Sequence, residues 1–137
     1  MSQLAFTGTI VLPDRLSPDT TVLCRDGQIV SVGRRPAPRG VPVVDVGKGY
    51  LSPGFIDIHV HGGQGADFMD GNLAAVQTAC RSHALHGTTS LFPTTTTGSP
   101  AQIAAMLNAC GEYQQWSQAE GSGPNLVGVH LYGPYFA

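Results

Sequence analysis

Two histidines, His59 and His61, are the residues whose types and spacing most clearly suggest chemistry. They close an apolar run that starts at Phe55, and a glycine-rich stretch follows them. Residues two apart on a strand share a face and lie about 7 Å apart along the backbone. Two imidazole rings at that spacing can converge on one cation, about 2.0–2.1 Å from each nitrogen. The alternative is a pair of packed histidines without a ligand. A short motif alone does not decide between the two, because it needs structural context.

Asp57 lies one step earlier on the face that the two histidines share. A carboxylate there can orient an imidazole by accepting a hydrogen bond from its second ring nitrogen. The opposite face carries Ile56, Ile58 and Val60, which predicts a buried strand packed under helices. The glycines that follow allow the backbone to approach a ligand closely. The segment therefore predicts a strand that ends in a metal site.

The composition of the 137-residue chain limits the classes of protein to which it can belong. Hydrophobic residues make up 42% and charged residues 12%, which favours a folded core over disorder. The net charge of −2 gives no general attraction to nucleic acid or to an anionic membrane. No apolar run approaches the roughly 18 residues needed to span a bilayer. Neither nucleic acid nor a membrane is therefore an expected partner.

Three cysteines, Cys24, Cys80 and Cys110, are far apart and have no Cys-x-x-Cys spacing. This pattern argues against a disulfide scaffold or a cysteine-based zinc site, and it fits a reducing compartment. The first residues show neither the basic region nor the long apolar run of a secretory signal peptide. We therefore expect a cytoplasmic protein.

The charges divide the chain into two parts. Residues 1–52 carry six Lys or Arg against four Asp, whereas residues 53–137 carry one cation, Arg81, against five acidic residues. Short β-prone runs fill the first part, and Asp26-Gly27 between two of them is a strong hairpin signal. We expect residues 1–52 to form a small all-β unit with too few strands to close a core alone. The strands are predicted at 4–12, 22–25, 28–33 and 43–46, with a turn at 47–49.

Strands and helices alternate in residues 53–137. After the histidine-bearing strand, strands are predicted at 88–94 and 126–132, and helices at about 73–86 and 100–119. Ser99, Pro100 and Gln102 give three agreeing helix-start signals. The inward residues of that second helix are predicted as Ile103, Met106, Leu107, Cys110 and Tyr113.

The last predicted strand repeats the pattern of the first, because His130 and Tyr132 share a face near its C-terminal end. Alternating strands and helices imply right-handed βαβ units around a parallel sheet. Polar groups at the C-terminal ends of such strands mark the sites of α/β barrels. Three strands cannot close a barrel, which typically needs about 250 residues. We therefore expect these residues to be the N-terminal part of a longer chain.

Three segments together resemble one family. Residues 51–63 (LSPGFIDIHVHGG) and 86–90 (HGTTS) resemble the amidohydrolase superfamily in general. Residues 67–70 (DFMD) and 128–136 (GVHLYGPYF) resemble N-acetylglucosamine-6-phosphate deacetylases in particular. The match covers nearly the whole chain.

The resemblance implies a metal-dependent hydrolase with a (β/α)8 barrel and a small β-sandwich. Residues 1–52 then supply part of the sandwich, and residues 53–137 the first three barrel strands. The reaction releases acetate from N-acetylglucosamine 6-phosphate. A divalent metal, zinc or iron, polarises the amide carbonyl and activates water. One or two ions are implied, as are a phosphorylated amino-sugar substrate and a homodimer at full length.

The resemblance also implies the residues that hold the metal. The family's His-x-His pair maps onto His59 and His61, and His130 maps onto the histidine of the family's His-Leu-Glu-Gly-Pro motif, behind the ligands. Tyr132 stands where the family has a glutamate ligand. A phenol ligates well only as phenolate, and its ordinary pKa is about 10. Tyr132 is therefore either a changed metal ligand or an interior side chain with a hydrogen-bonded hydroxyl.

No catalytic residue of the family maps onto this chain. The family's later metal-binding histidines, its catalytic Asp and most of its sugar and phosphate contacts correspond to positions beyond residue 137. We therefore expect little or no deacetylase activity from these residues alone. Two alternatives stay open: a cyclic amidase that resembles dihydroorotases or hydantoinases, and a degenerate chain that at most binds metal.

Overall fold

The computed structural model of this protein describes residues 2–133. The chain divides into two compact units, Met1–Pro53 and Gly54–Ala137. The first contains only strands, and the second alternates strands with helices, so the fold is of the α/β class. No helix in the described residues has the length and apolar character needed to cross a membrane.

The first unit is built from four strands: β1 (Gln3–Val11), β2 (Leu16–Arg25), β3 (Gln28–Gly33) and β4 (Val43–Leu51). They form one sheet in the order β3-β2-β1-β4, in which only the β1–β4 pair is parallel. Asp26 and Gly27 have φ angles of 49° and 79° between paired Arg25 and Gln28. A two-residue hairpin turn needs such positive angles. The predicted hairpin is therefore confirmed.

The turn predicted at residues 47–49 is instead a bulge inside β4. Asp45 pairs with β1 before the bulge and Tyr50 pairs with it afterwards, so the residues between them loop out of the ladder. Gly47 has a φ of 57°, and its N–H donates to Asp45 Oδ1 at 2.9 Å. The glycines therefore bend the strand without ending it.

Few side chains of the first unit are buried. Its buried apolar residues are Ala5, Ile10 and Val22, whereas Ile29 is 67% exposed and Tyr50 is 65% exposed. A single twisted sheet has two faces and covers neither by itself. This unit has no closed core of its own, as its few strands predict.

The second unit begins with strand β5 (Phe55–Val60), which carries His59. The elements that follow are β6 (Gly62–Gly63), β7 (Ala66–Asp67), η1 (Phe68–Asp70), α1 (Leu73–Ala84), β8 (Thr88–Pro93), α2 (Pro100–Glu120) and β9 (Asn125–Leu126). Strands β6 and β7 pair as a short hairpin, and the 3₁₀ turn η1 lies between that hairpin and α1. Strands β5, β8 and β9 form a parallel sheet in that order.

Both helices begin at a side-chain cap, and the cap of α2 is the one that the sequence predicts. The Asn72 side chain accepts a hydrogen bond from the N–H of Ala75 and caps α1. Ser99 and Gln102 form a capping box at the start of α2, with proline in its first turn. Side chains that satisfy the free N–H groups of a first helical turn fix where the helix starts. Helix α2 ends at Gly121, whose φ of 62° is left-handed.

The core of the second unit lies between the sheet and the two helices. Met106 is fully buried, whereas Leu107, also predicted to point inward, is 40% exposed. Ala109 takes the place beside Cys110 on the buried face of α2. The core residues are Val60, Phe68, Val76, Ala79, Cys80, Leu91, Met106, Ala109, Cys110, Tyr113 and Leu126.

The prediction that β5 is a buried strand is wrong. Phe55 and Ile56 are each 65% exposed and Ile58 is 68% exposed, while Val60 alone reaches the core. Strand β5 is the outermost strand of its sheet, and helix α1 packs on β6, β7 and β8. Its apolar face is therefore uncovered except at the C-terminal end, next to the histidines.

The last strand is shorter than the predicted 126–132. Strand β9 ends at Leu126, and the chain rejoins β8 only at a bridge between His130 and Thr94. The register gains one residue between the two pairings, which is a bulge. The bulge changes the side-chain alternation, because Leu126 is in the core and Val129, three residues later, packs against the same core. The regular strand predicted through residue 132 is therefore wrong.

Candidate metal centre

The two histidines of the motif lie at the C-terminal end of β5 with their rings side by side. The ring centroids are 5.1 Å apart, and the Nε2 atoms of His59 and His61 are 3.2 Å apart. The backbone alternation of β5 therefore brings both rings to one side of the strand.

The chain directly after His61 is held closely by its neighbours. The His61 carbonyl accepts a hydrogen bond from the N–H of Phe68 at 2.8 Å, and the Gly62 carbonyl accepts one from His83 Nε2 at 2.9 Å. A Cβ atom on Gly62 would lie 2.1 Å from the carbonyl oxygen of Ala66, so the hairpin requires glycine there. The loop that the glycines form thus packs against the histidine-bearing strand.

The 67–70 segment has a structural role in this loop. The Asp67 side chain accepts from the N–H of Met69, and the Asp70 side chain accepts from the N–H of Asp67. This reciprocal cap fixes the 3₁₀ turn that buries Phe68. The segment therefore anchors the chain after the histidine pair.

The spacing of the histidine pair fits two ligand positions of one divalent ion. Nitrogens about 2.0–2.1 Å from a tetrahedral zinc lie about 3.3–3.4 Å from each other. The separation of 3.2 Å between the two Nε2 atoms is close to that value. Without a metal, the same separation makes a ring-to-ring hydrogen bond when one Nε2 carries a proton. Metal binding then competes with that proton.

His130 lies beside the histidine pair, although it belongs to the segment after β9, which is separated from β5 by β8. Its N–H donates to the carbonyl of Pro93 at 2.9 Å, and its ring centroid lies 4.8 Å from that of His59, at right angles. The Nδ1 atom of His130 is buried and has no hydrogen-bond partner in the described residues. A buried ring nitrogen without a partner is costly, so this atom is a candidate contact for a ligand.

The ring of Tyr132 completes the group of aromatic side chains. Its centroid lies 5.2 Å from that of His59 and 6.3 Å from those of His61 and His130. Tyr132 is 45% exposed. The structure thus places the side chain at the glutamate-equivalent position beside the histidines; its role as a ligand stays a prediction.

Asp57 contacts the main chain of the motif. Its Oδ1 accepts a hydrogen bond from the N–H of His59 at 3.1 Å. The carboxylate therefore steadies the backbone that carries His59, and its predicted contact with an imidazole ring stays a prediction.

The described residues supply only part of a ligand set. In residues 2–133, no three or more His, Cys, Asp or Glu side chains form a group that can hold a metal ion. Zinc usually takes three or four protein ligands, and the histidine pair accounts for two. Pro134, Tyr135 and Phe136, which belong to the third resembling segment, lie outside the described residues.

Two threonines at the site, Thr94 and Thr95, are more important than the sequence indicated. Both residues are buried, and their hydroxyls bond the main chain of Val60 and of Tyr132. The available signal was hydroxyl groups directly after an apolar parallel strand.

Parallel strands that alternate with helices, with imidazoles grouped at the C-terminal ends of the strands, are typical of α/β enzymes that act through that edge of the sheet. The comparison with known families agrees. Residues 50–127 match the amidohydrolase family. The chain belongs to the amidohydrolase family.

Individual relatives narrow the resemblance. The chain is 36% identical over 132 residues to the N-acetylglucosamine-6-phosphate deacetylase of Bacillus subtilis (strain 168), covering 92% of this chain and 32% of that protein. It is 36% identical over 111 residues to the N-acetylgalactosamine-6-phosphate deacetylase of Escherichia coli O157:H7, covering 81% and 28%. The chain therefore spans about a third of the length of these relatives.

A solved structure shows the same fold. The N-acetylglucosamine-6-phosphate deacetylase of Pasteurella multocida superposes with a TM-score of 0.83 at 21% sequence identity. The superposition covers 98% of this chain and 35% of that one. The likeness therefore shows that the chain shares the fold of about a third of that protein.

Proposed function

We propose that this chain forms the metal-binding start of a deacetylase that releases acetate from N-acetylglucosamine 6-phosphate. The observation that carries the proposal is the 3.2 Å separation of the His59 and His61 Nε2 atoms at the end of a parallel strand. The likeness to deacetylases along most of the chain supports the same assignment.

The proposal includes an architecture. Residues 53–137 form the first three strands of a (β/α)8 barrel, and residues 1–52 form part of a small β-sandwich. The uncovered apolar faces support this, because exposed groups of large apolar side chains mark surfaces that bind further protein. The remaining strands and the remaining metal ligands come from a part of the protein that this chain does not contain.

The proposed cofactor is a divalent metal, zinc or iron, as one or two ions. When bound, it polarises the amide carbonyl of the substrate and lowers the pKa of a water molecule. His59 and His61 would hold it through Nε2, and Tyr132, at the position of the family's glutamate ligand, lies beside them. Asp57 and His130 stand behind the pair, Asp57 on the backbone of His59 and His130 against its ring.

The substrate is proposed to be a phosphorylated amino sugar. In this proposal the imidazoles act, through the metal, at the amide end of that molecule. Arg81, on α1, is the one Lys or Arg of the described second unit, so we assign the phosphate contacts to the rest of the protein.

We also propose a cytoplasmic, homodimeric protein at full length. All three cysteines are free, and two of them are buried, which fits a reducing compartment. The homodimer is proposed on family resemblance alone.

The test is acetate release by the full-length protein that carries this chain, loaded with zinc or iron. We expect hydrolysis of N-acetylglucosamine 6-phosphate that is lost in the His59→Ala/His61→Ala variant. N-acetylgalactosamine 6-phosphate, dihydroorotate and hydantoin serve as competing substrates. Ring opening of a cyclic amide without acetate release would overturn the proposal in favour of a cyclic amidase.

The second candidate function is metal binding without catalysis. Tyr132 in place of the family's glutamate favours it, because a neutral phenol binds a cation less strongly than a carboxylate does. A full-length protein that retains metal after gel filtration and releases no acetate would establish this candidate.

A further inference from the structure

Two consecutive threonines join the two halves of the aromatic group at the end of the sheet. Thr94 is 0% exposed and Thr95 is 2% exposed, although both side chains are polar. Buried hydroxyls are almost always hydrogen-bonded. The Thr94 hydroxyl donates to the carbonyl of Phe92 in β8 at 3.1 Å and also bonds β5, whereas the Thr95 hydroxyl bonds a residue beyond β9.

Thr94 bonds the residue that separates the two histidines of the motif. Its N–H donates to the carbonyl of Val60 at 2.8 Å, and its Oγ1 accepts from the N–H of Val60 at 3.0 Å. Val60 pairs in register with Pro93, which has no N–H to contribute. The Thr94 hydroxyl therefore completes the hydrogen bonding of β5 where the backbone ladder is irregular.

Thr95 makes the corresponding contacts on the other side. Its N–H donates to the carbonyl of His130 at 3.0 Å. Its hydroxyl accepts from the N–H of Tyr132 at 2.9 Å and donates to the carbonyl of Tyr132 at 3.1 Å. A single hydroxyl thus bonds both main-chain groups of one residue, as a neighbouring strand would do.

These contacts matter because regular strand pairing ends before the rings are reached. Strand β9 stops at Leu126, and the register between β5 and β8 shifts between Asp57 and Val60. The main-chain positions of the histidine pair and of Tyr132 therefore depend on a few individual hydrogen bonds.

We propose that Thr94 and Thr95 are the positioning residues of the metal centre: Thr94 sets the backbone of the His59–His61 pair, and Thr95 sets that of His130 and Tyr132. The proposal rests on the proposed function in so far as the positioned rings serve a metal. The geometric part is independent of the metal and can be tested without one.

The geometric test uses nuclear Overhauser effects between the rings of His59 and Tyr132, whose centroids are 5.2 Å apart. We expect the effect in the unsubstituted chain and in Thr95→Ser, which keeps the hydroxyl. We expect its loss in Thr95→Val, which keeps the shape but removes the hydroxyl. Thr97→Val is the matched control, because Thr97 belongs to the same threonine run and its side chain is exposed.

The functional test is the affinity for Co²⁺, followed by visible absorption of the full-length protein. Residues that orient metal ligands typically change metal affinity by about 10–100-fold when they are lost. We expect about a tenfold loss in Thr94→Val and in Thr95→Val, recovery in the two serine variants, and no change in Thr97→Val. If the valine variants only lowered the general stability of the protein, the serine variants would not restore both the Co²⁺ affinity and the visible absorption spectrum.

The outcomes separate the two ideas. An unsubstituted protein that binds no Co²⁺ would overturn the proposed function, and the ring contacts would still decide the positioning role. Valine variants that keep both the ring contacts and the Co²⁺ affinity would overturn the positioning role. If Thr95→Val does not fold, amide exchange in the unsubstituted chain decides: protection of the Tyr132 N–H equal to that of His130 supports it, and exchange at the rate of an open amide overturns it.

Discussion

The core between the helices and the sheet and the aromatic group at the end of that sheet are held together by different interactions. The core consists of fully buried apolar side chains such as Phe68, Leu91 and Met106. The aromatic group is held by individual hydrogen bonds to main-chain atoms, among them those of Thr94 and Thr95. Apolar burial stabilises in proportion to area and tolerates small shifts, whereas a hydrogen bond requires its geometry. We therefore expect core changes to alter stability and changes at the aromatic group to alter binding.

The largest expected effect is a loss of stability on truncating the core. Met106→Ala should lower the free energy of unfolding by about 2–5 kcal/mol, because Met106 is fully buried and the cavity cannot collapse completely. Leu107→Ala is the control one residue along the same helix, where the side chain is 40% exposed. Chemical denaturation measures both. Equal losses would show that the helix packs with a different face than the structure gives it.

Helix α2 also shows which features the sequence predicts well and which it does not. Caps, glycine ends and the alternation of strands and helices follow from local chemistry, and the starts of α1 and α2 agree with their capping residues. The predicted buried face of α2 was partly wrong, because Leu107, next to buried Met106, is exposed. Packing against the sheet, which no local pattern contains, selects between them.

The aromatic group shows the complementary limit. The spacing of His59 and His61 was sufficient to predict that their rings would converge, because strand alternation is local. The placement of His130 next to these two histidines depends on a bulge after Leu126, which no residue pattern in the sequence indicates. The exposure of Ile56 and Ile58 depends on what covers β5, which is a property of neighbouring elements.

The next effect in size concerns the histidine pair. Removing one ring by His59→Ala should weaken binding of Zn²⁺ or Co²⁺ by about 100-fold or more, above the range for residues that only orient ligands. The free energy of unfolding of the metal-free protein should change little, because the His59 side chain is exposed in the described structure. His86→Ala, an exposed histidine after α1, is the control. A metal affinity that survives His59→Ala would place the ion elsewhere.

A smaller effect, and of opposite sign, is expected at Tyr132. Tyr132→Glu introduces a carboxylate beside the histidines and should raise metal affinity about tenfold. Substitutions of residues around a metal site typically change its affinity on this scale. The measurement is metal competition against a chromophoric chelator, with Leu131→Glu, whose side chain is 65% exposed, as the control for added charge. A Tyr132→Glu variant that binds metal no better than Leu131→Glu would show that position 132 does not face the ion.

The smallest expected effect is a loss of stability at alkaline pH that comes from the core and not from the aromatic group. Burial raises the pKa of the Cys80 thiol to about 12 and that of Cys110 to about 11, from an ordinary value of 9.0. The folded chain therefore keeps both protons when the unfolded chain begins to lose them. The contribution to stability is complete below pH 9 and is lost as the pH rises from about 9 towards 11–12.

At pH 9 the loss should be below about 1 kcal/mol for the two thiols together. Denaturation at pH 7 and pH 9 measures it, and the Cys80→Ala/Cys110→Ala variant removes the thiol contribution as the control. We expect a smaller pH-dependent loss of the free energy of unfolding in that variant, because it lacks the two thiols. These thiols belong to the core and not to the aromatic group. An equal loss in both proteins would assign the alkaline sensitivity to other groups and would remove the thiols from the comparison.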